Sequence, residues 1–148
     1  MENTWTKIND NIPQYVKKIN KQYNMICIKI SPLKTAMIGK GFALIIGIDR
    51  FDASVSYVYK VRDELTVLLC DNYFAEKYDI DDRKDLLSEN GAEASVINNL
   101  IVISNGLINK WSNVLSGENG WIADYKKSRW YAVGKMTPDE MRIIEKYI

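Results

Sequence analysis

Residues 42–70 constrain the fold of this chain more than any other stretch. They read FALIIGIDRFDASVSYVYKVRDELTVLLC. Side chains of a strand point alternately to the two faces of a sheet, and apolar residues recur at every second position here. Residues 50–52 and 62–64 interrupt the alternation and indicate two tight turns. Three consecutive strands with connections this short must pair antiparallel, because parallel neighbours need a long crossover.

The first of these strands is apolar on both faces, which predicts a central strand covered on both sides. Phe42, Leu44 and Ile46 alternate with Ala43 and Ile45. The next strand has one apolar face, and we expect its other face to be mostly polar and wet. That second face consists of Ser54, Ser56, Val58, Lys60 and Arg62.

The flanking segments predict helices and further strands. Apolar residues recur at helical spacing within residues 12–23, and residues 25–30 and 36–38 have the composition of strands. The longest helical pattern covers residues 92–116, roughly 35 Å of helix. Residues 137–140 (TPDE) have the sequence of a capping box that starts a terminal helix. The sequence therefore predicts an α+β fold, an antiparallel β-meander of four to five strands packed against a long α-helix, with N- and C-terminal helices.

The length and composition predict one domain spanning residues 1–148 that folds without a disulfide or metal. We expect Cys27 and Cys70 to be buried, reduced thiols in strands, with a disulfide between them as the alternative. The polar N-terminus does not resemble a signal peptide, and the apolar runs are shorter than the ~20 residues that span a bilayer. These features favour a cytoplasmic protein without membrane association.

The residues that are absent exclude several kinds of chemistry. The chain has no histidine and two cysteines, which removes Ser-His-Asp and Cys-His nucleophilic sites and the common zinc sites. Residues 39–41 (GKG) lack the remainder of a phosphate-binding loop, and no dinucleotide-binding motif is present. The sequence thus predicts no enzyme, cofactor or metal site. Carboxylate, lysine and tyrosine side chains could still take part in acid–base chemistry, but no spacing indicates it.

The charges of the chain are unevenly distributed. The net charge is +1, yet residues 63–93 carry ten acids against three bases, a net charge of −7. A run of this kind most often faces water as a solvated loop. The functional interpretation is a footprint for a basic protein, since complementary charge speeds association and rejects wrong partners.

Four aspartates form the densest part of this acidic segment. They do not match a calcium-binding loop, because Lys84 and Asn90 stand where that loop requires Gly and Glu. We therefore interpret them as candidate contacts to a basic partner, with weak binding of a divalent cation and paired catalytic carboxylates as less favoured alternatives. They are Asp79, Asp81, Asp82 and Asp85.

Residues 125–131 read YKKSRWY and mix basic with aromatic side chains. Such a stretch can follow phosphates and stack bases, which makes Lys126, Lys127, Arg129 and Trp130 candidate nucleic-acid contacts. The chain is not basic overall, however, and shows no broad basic stripe, so nucleic acid is the less favoured partner. The structural alternative is that the aromatic rings pack against the sheet or the long helix while the cations are solvated.

The order of elements, together with VINNLIVISNGLINKWSNVLSGENGW (residues 96–121) and its Gly-Glu-Asn-Gly-Trp turn, resembles one class of small bacterial proteins. These are the immunity proteins of polymorphic and contact-dependent growth inhibition toxin systems. The resemblance covers residues 42–130 and includes no catalytic motif. It implies a cytoplasmic protein that neutralises one cognate toxin domain, such as a nuclease, by stoichiometric contact. Self-association through the edge of the sheet is a further alternative.

Overall fold

The computed structural model describes residues 3–148, and its centre is one antiparallel sheet. The six strands formed by these residues follow one another in the order β1-β2-β3-β4-β5-β6, so each strand pairs with its neighbour in sequence. This confirms the predicted α+β class and the meander, with six strands instead of four to five. The strands are β1 (Ile26–Ser31), β2 (Lys34–Ile38), β3 (Phe42–Ile48), β4 (Ala53–Val61), β5 (Glu64–Leu68) and β6 (Val133–Gly134).

Within the described part of the chain, eight α-helices flank the sheet, and a 3₁₀ turn covers Ile80–Arg83. The predicted N-terminal helix over residues 12–23 is divided into two short helices, and a further helix precedes it in a polar stretch that gave no helical signal. The predicted long helix ends earlier than expected, at Lys110. The helices are α1 (Thr4–Asp10), α2 (Ile12–Tyr15), α3 (Lys17–Tyr23), α4 (Asp71–Ala75), α5 (Ala92–Lys110), α6 (Ser112–Leu115), α7 (Trp121–Lys127) and α8 (Pro138–Glu145).

Trp111 is the residue at which the long helical pattern breaks. Its backbone leaves the helical region, with φ −130° and ψ 35°. The indole is buried, and its Nε1 donates a 3.0 Å hydrogen bond to the carbonyl oxygen of Phe74. The break therefore directs a large aromatic side chain into the core, where it joins α5 to α4.

Both faces of the sheet are covered, as the alternation in β3 predicted. One face packs against α5 and the N-terminal helices, and its cluster contains Phe42, Leu44, Ile46, Val55, Tyr57, Leu100 and Leu107. The other face forms a smaller cluster that includes Ala43, Ile45, Val58 and Ile144 of α8. The second face of β4 is polar and largely accessible to water as expected, with Ser54 and Lys60 exposed, except at Val58, which is fully buried in this smaller cluster.

Helix α8 begins at the predicted capping box. The side chain of Thr137 accepts a 3.1 Å hydrogen bond from the backbone N–H of Glu140, and Oε1 of Glu140 accepts a 2.9 Å bond from the N–H of Thr137. The buried carboxylate of Glu140 also lies 3.0 Å from the ammonium group of Lys34 on β2. The C-terminal helix is thereby fixed to the sheet.

Two other predictions concern the state of the two cysteines and the absence of a membrane-spanning segment. Cys70 is buried, Cys27 is half-buried, and both are free thiols. Among residues 3–148, none of the helices combines the length and the apolar character needed to cross a membrane.

Candidate protein-interaction surface

The acidic strap, residues 79–87, lies along helix α5 and is held there by asparagine side chains of that helix. Asn98 accepts a 2.7 Å hydrogen bond from the backbone N–H of Leu87 and donates a 3.3 Å bond to the carbonyl of the same residue. Asn105 donates a 3.2 Å bond to the carbonyl oxygen of Asp82. The sequence places these asparagines on the polar side of the helix but does not reveal that they order the acidic segment.

Asp82 lies inside the protein, with no exposed surface. Its carboxylate accepts hydrogen bonds from the N–H of Asp79 at 2.9 Å and from Asn109 at 2.8 Å, and it lies 3.2 Å from the ammonium group of Lys110. Burial alone would raise the pKa of Asp82, but these partners together hold that pKa below its usual value. Asp82 therefore anchors the strap, and any direct contact with a partner depends on the other three candidate aspartates.

The other three candidates lie on the surface. The side chain of Asp79 is 53% exposed and pairs with Lys110 at 3.1 Å, while the side chain of Asp81 is 67% exposed and lies 3.7 Å from Lys84. Asp85 is exposed, and its backbone is left-handed with φ 65°. The structure thus brings these carboxylates onto one short segment, but two lysines neutralise part of their charge.

A second acidic feature was not foreseen from the sequence. It is a cleft of about 200 Å³ between the β3–β4 turn, helix α4 and helix α5. We name it the Asp52–Asp71 cleft after the two carboxylates in its wall. Its polar lining also includes Tyr78, Arg83 and Asn99, and its apolar lining is Ala53, Ala75, Val102 and Ile103.

Asp71 is the half-buried carboxylate of this cleft. One of its oxygens accepts a 3.0 Å hydrogen bond from the backbone N–H of Val55. Burial, assisted by the charge of Asp52, raises the pKa of Asp71 to about 6, although the bond from Val55 acts in the opposite direction. Asp71 is therefore ionised at neutral pH in an environment that disfavours its charge.

Tyr78 and Asp52 complete the polar wall of the cleft. The hydroxyl group of Tyr78 is buried and has no hydrogen-bond partner within residues 3–148. The ring of Tyr78 lies against Gly106 of α5, where a Cβ atom would come within 2.2 Å of it. Asn99 donates a hydrogen bond to the carboxylate of Asp52, which joins the β3–β4 turn to α5.

Two large apolar side chains point into solvent next to this cleft. Phe51 is 79% exposed and directly precedes Asp52, which lines the cleft. Ile80 is 82% exposed and lies in sequence between Tyr78 and Arg83, which also line the cleft. Phe51 and Ile80 are the most exposed large apolar residues of the described chain. Single exposed apolar residues are common, but two beside one cleft make this region a candidate interaction site.

Hydrogen bonds fix both turns that carry these side chains. Oδ1 of Asp49 accepts hydrogen bonds from the backbone N–H groups of Phe51 at 2.7 Å and Asp52 at 2.8 Å. Ile80 opens a 3₁₀ turn with a reciprocal capping box between Asp79 and Asp82. The two apolar side chains are therefore presented on ordered backbone, which lowers the entropic cost of binding a partner.

The basic-aromatic stretch lies at the end of α7. Lys126, Lys127 and Arg129 are exposed, whereas Trp130 is half-buried. The Nε1 of Trp130 donates a hydrogen bond to Glu76, and the guanidinium carbon of Arg129 lies 4.6 Å from the centre of its ring. The structure thus groups the three cations, while the ring expected to stack bases already contacts other parts of the chain.

The described residues contain no group of three or more metal-ligating side chains that could hold an ion. Comparison of the sequence with protein-family models found no match. Comparisons with curated proteins and with solved structures also found none.

Proposed function

We propose that this protein is a cytoplasmic immunity protein that binds a cognate bacterial toxin domain, such as a nuclease, and neutralises it by stoichiometric contact. In this proposal the protein acts by binding and performs no catalysis. The observation that carries the proposal is the pair of exposed apolar side chains, Phe51 and Ile80, on fixed turns beside an acidic cleft. Apolar anchors surrounded by charge are characteristic of tight, selective protein interfaces.

The charge of this region supports a basic partner. Asp49 and Asp52 lie on the β3–β4 turn, Asp71 lines the cleft, and Asp79 and Asp81 extend the acidic surface along the strap. Enzymes that act on nucleic acid carry basic surfaces that contact phosphates. An acidic surface that meets such a basic surface would speed capture of the toxin and would also cover its substrate-binding face.

The proposal is tested by capture and rescue. The immobilised protein is exposed to lysate of the organism that encodes it, and retained proteins are identified. We expect one retained protein with a toxic domain in 1:1 stoichiometry, whose expression arrests growth unless this protein is co-expressed. A retained protein whose toxicity is unaffected by co-expression would refute the proposed neutralisation.

Nucleic-acid binding through the basic-aromatic stretch is the alternative function. The exposed cluster of Lys126, Lys127 and Arg129 at the end of α7 favours it. Fluorescence anisotropy with single-stranded RNA and DNA would detect such binding as a salt-dependent signal. Charge reversal of the three cations should abolish the signal if this alternative is correct.

Self-association through the sheet edge is the third possibility. The edge strand β1 has an irregularity between Lys29 and Ser31, and Lys29 pairs with Asp10 at 2.8 Å. Irregular backbone and charged side chains on an edge strand disfavour pairing with another sheet. Light scattering across a concentration series would show a dimer if pairing occurs in spite of these features.

A further inference from the structure

We propose that the Asp52–Asp71 cleft receives one arginine side chain of the partner protein, with Phe51 and Ile80 making the apolar contacts beside it. The identity of the partner as a protein rests on the proposed function. The affinity of the cleft for a guanidinium group can be measured without that assumption.

The wall of the cleft offers acceptors that match a guanidinium group. Asp52 and Asp71 each supply a carboxylate, and the Tyr78 hydroxyl oxygen has no partner within the described chain. The bond from Val55 engages only one oxygen of Asp71, so its other oxygen can accept. A guanidinium group is planar and carries five N–H donors in a fixed fork, which suits several acceptors converging from different directions.

The size of the cleft suits a side chain better than a larger ligand. Its volume is about 200 Å³, whereas sites for small-molecule ligands and cofactors measure roughly 300–1,000 Å³. The apolar lining residues Ala53, Val102 and Ile103 can pack against the methylene groups of an arginine. Arginine side chains bury such methylenes while the charged end reaches its polar partners.

Asp71 provides independent support for a cationic occupant. Its burial beside Asp52 penalises the ionised carboxylate of the free protein at neutral pH. A bound cation would relieve this penalty, because it interacts with both carboxylates at once. Titratable groups kept in unfavourable surroundings within a cleft are typical of functional sites.

Among residues 3–148, Arg83 is the one cation that lines the cleft. It is exposed and forms no ion pair with a carboxylate of residues 3–148 within 4.0 Å. Its charge opposes entry of a second cation. Removal of that charge in Arg83→Gln should therefore strengthen binding of a cationic probe by about threefold.

The first experiment uses N-acetyl-arginine amide as the probe and NMR spectroscopy of the isotope-labelled protein. We expect saturable shifts of the backbone amides of Ala53, Asp71 and Asn99, with a Kd of about 1–20 mM for one side chain without the rest of the interface. The probe should also lower the pKa of Asp71, read from its carboxyl carbon, by about 0.5 pH unit or more.

Matched variants decide whether the cleft is responsible. Asp71→Asn keeps the shape of the side chain and can keep the bond from Val55, and it should abolish the saturable shifts. Asp63→Asn changes an exposed acid in the β4–β5 turn and should leave binding unchanged. Absence of saturable shifts, or equal binding by Asp71→Asn and the unchanged protein, would overturn the proposal. A Kd below about 10 μM would indicate a site for a free small molecule and would also overturn it.

The second experiment uses the captured toxin domain and separates the two proposals. Asp71→Asn should weaken its binding by about 10–100-fold, while Asp63→Asn should not. If the wild-type protein neutralises the toxin and Asp71→Asn binds the toxin equally well, the proposal that the cleft receives an arginine fails and the proposed function stands. If no toxin is captured, the proposed function fails and the arginine titration alone decides whether the cleft binds a guanidinium group.

Discussion

The carboxylate of Asp82 lies 3.2 Å from the ammonium group of Lys110, and this buried contact fixes the acidic strap to the last turn of α5. Lys110 also lies 3.1 Å from Asp79, so one lysine holds both residues of the capping box that shapes the strap. The strap is therefore an ordered part of the fold and not a freely moving acidic loop.

Replacement of Asp82 should destabilise the fold. Asp82→Ala removes a buried carboxylate and leaves its partners unsatisfied, so we expect the free energy of unfolding to fall by about 2–4 kcal/mol. Chemical denaturation measures this loss. Asp81→Ala removes an exposed aspartate 3.7 Å from Lys84 and should change stability by no more than about 0.5 kcal/mol. Equal effects of the two substitutions would contradict the anchoring role of Asp82.

The stabilisation by Asp82 should depend on pH. Because the pKa of Asp82 is lowered on folding, its stabilising contribution is present above the pKa of the unfolded state and is lost as the pH falls through the folded-state pKa. The difference in free energy of unfolding between the wild-type protein and Asp82→Ala should therefore become smaller below about pH 4. A difference that stays constant from pH 7 to pH 3 would be inconsistent with an ionised Asp82.

Asp71→Asn should stabilise the fold at neutral pH, in contrast to the destabilising Asp82→Ala. The raised pKa of about 6 means that the folded state binds a proton more tightly than the unfolded state. Ionisation of the side chain therefore destabilises the fold. This destabilising contribution grows as the pH rises from about 4 to 6 and is complete above pH 6. We expect Asp71→Asn to raise the free energy of unfolding by about 1–3 kcal/mol at pH 7.5 and to have little effect near pH 4. A loss of stability at pH 7.5 would show that the carboxylate is needed for folding.

Gly106→Ala should destabilise the protein although alanine favours helices. Alanine gains about 1 kcal/mol in a helix interior, but its Cβ would lie 2.2 Å from the ring of Tyr78. The ring must then move out of its buried position, and we expect a net loss of about 1–3 kcal/mol in thermal or chemical unfolding. In a Tyr78→Ala background the same substitution should become stabilising. A loss of equal size in both backgrounds would show that Tyr78 is not the obstacle.

Phe51→Ser and Ile80→Ser should affect binding without affecting folding. Both side chains are mostly in water, so each substitution should change the free energy of unfolding by no more than about 0.5 kcal/mol. Each should weaken binding of the captured toxin domain by about 2 kcal/mol, as expected for an interface anchor, measured by calorimetry. Val61→Ser, an exposed position at the other end of β4, is the control. Equal affinities for all variants would place the interface elsewhere.

Alternating side chains made the central sheet predictable. The apolar faces of β3 and β4 have period two over many residues, and both faces of β3 are buried as expected. The residues of the α8 capping box are a local signal that the structure retains. Strand β6 has two residues, too few for any periodicity. The break at Trp111 depends on a contact with distant Phe74, which no local pattern reveals.

The surface was only partly predictable, because it too depends on contacts between residues that are far apart in the sequence. The acidic run is visible in the sequence, but the distinction between buried Asp82 and exposed Asp81 depends on Asn109 and Lys110, which belong to a distant helix. The Asp52–Asp71 cleft forms only when the β3–β4 turn meets α4 and α5. A short-range signal for the turn that carries Phe51 did exist, since an aspartate such as Asp49 can accept a hydrogen bond from the backbone two residues on.

The most direct test of the central claim is parallel capture by the wild-type protein and by the variant Asp81→Lys/Asp85→Lys, followed by growth rescue. We expect the unchanged protein to retain one protein with a basic toxic domain in 1:1 stoichiometry and to relieve its toxicity. The variant should retain it at least about tenfold more weakly and should fail to rescue growth. Retention of nucleic acid, or of nothing but further copies of this chain, would contradict the account. Equal capture and rescue by the charge-reversed variant would contradict a toxin-binding role for the acidic strap.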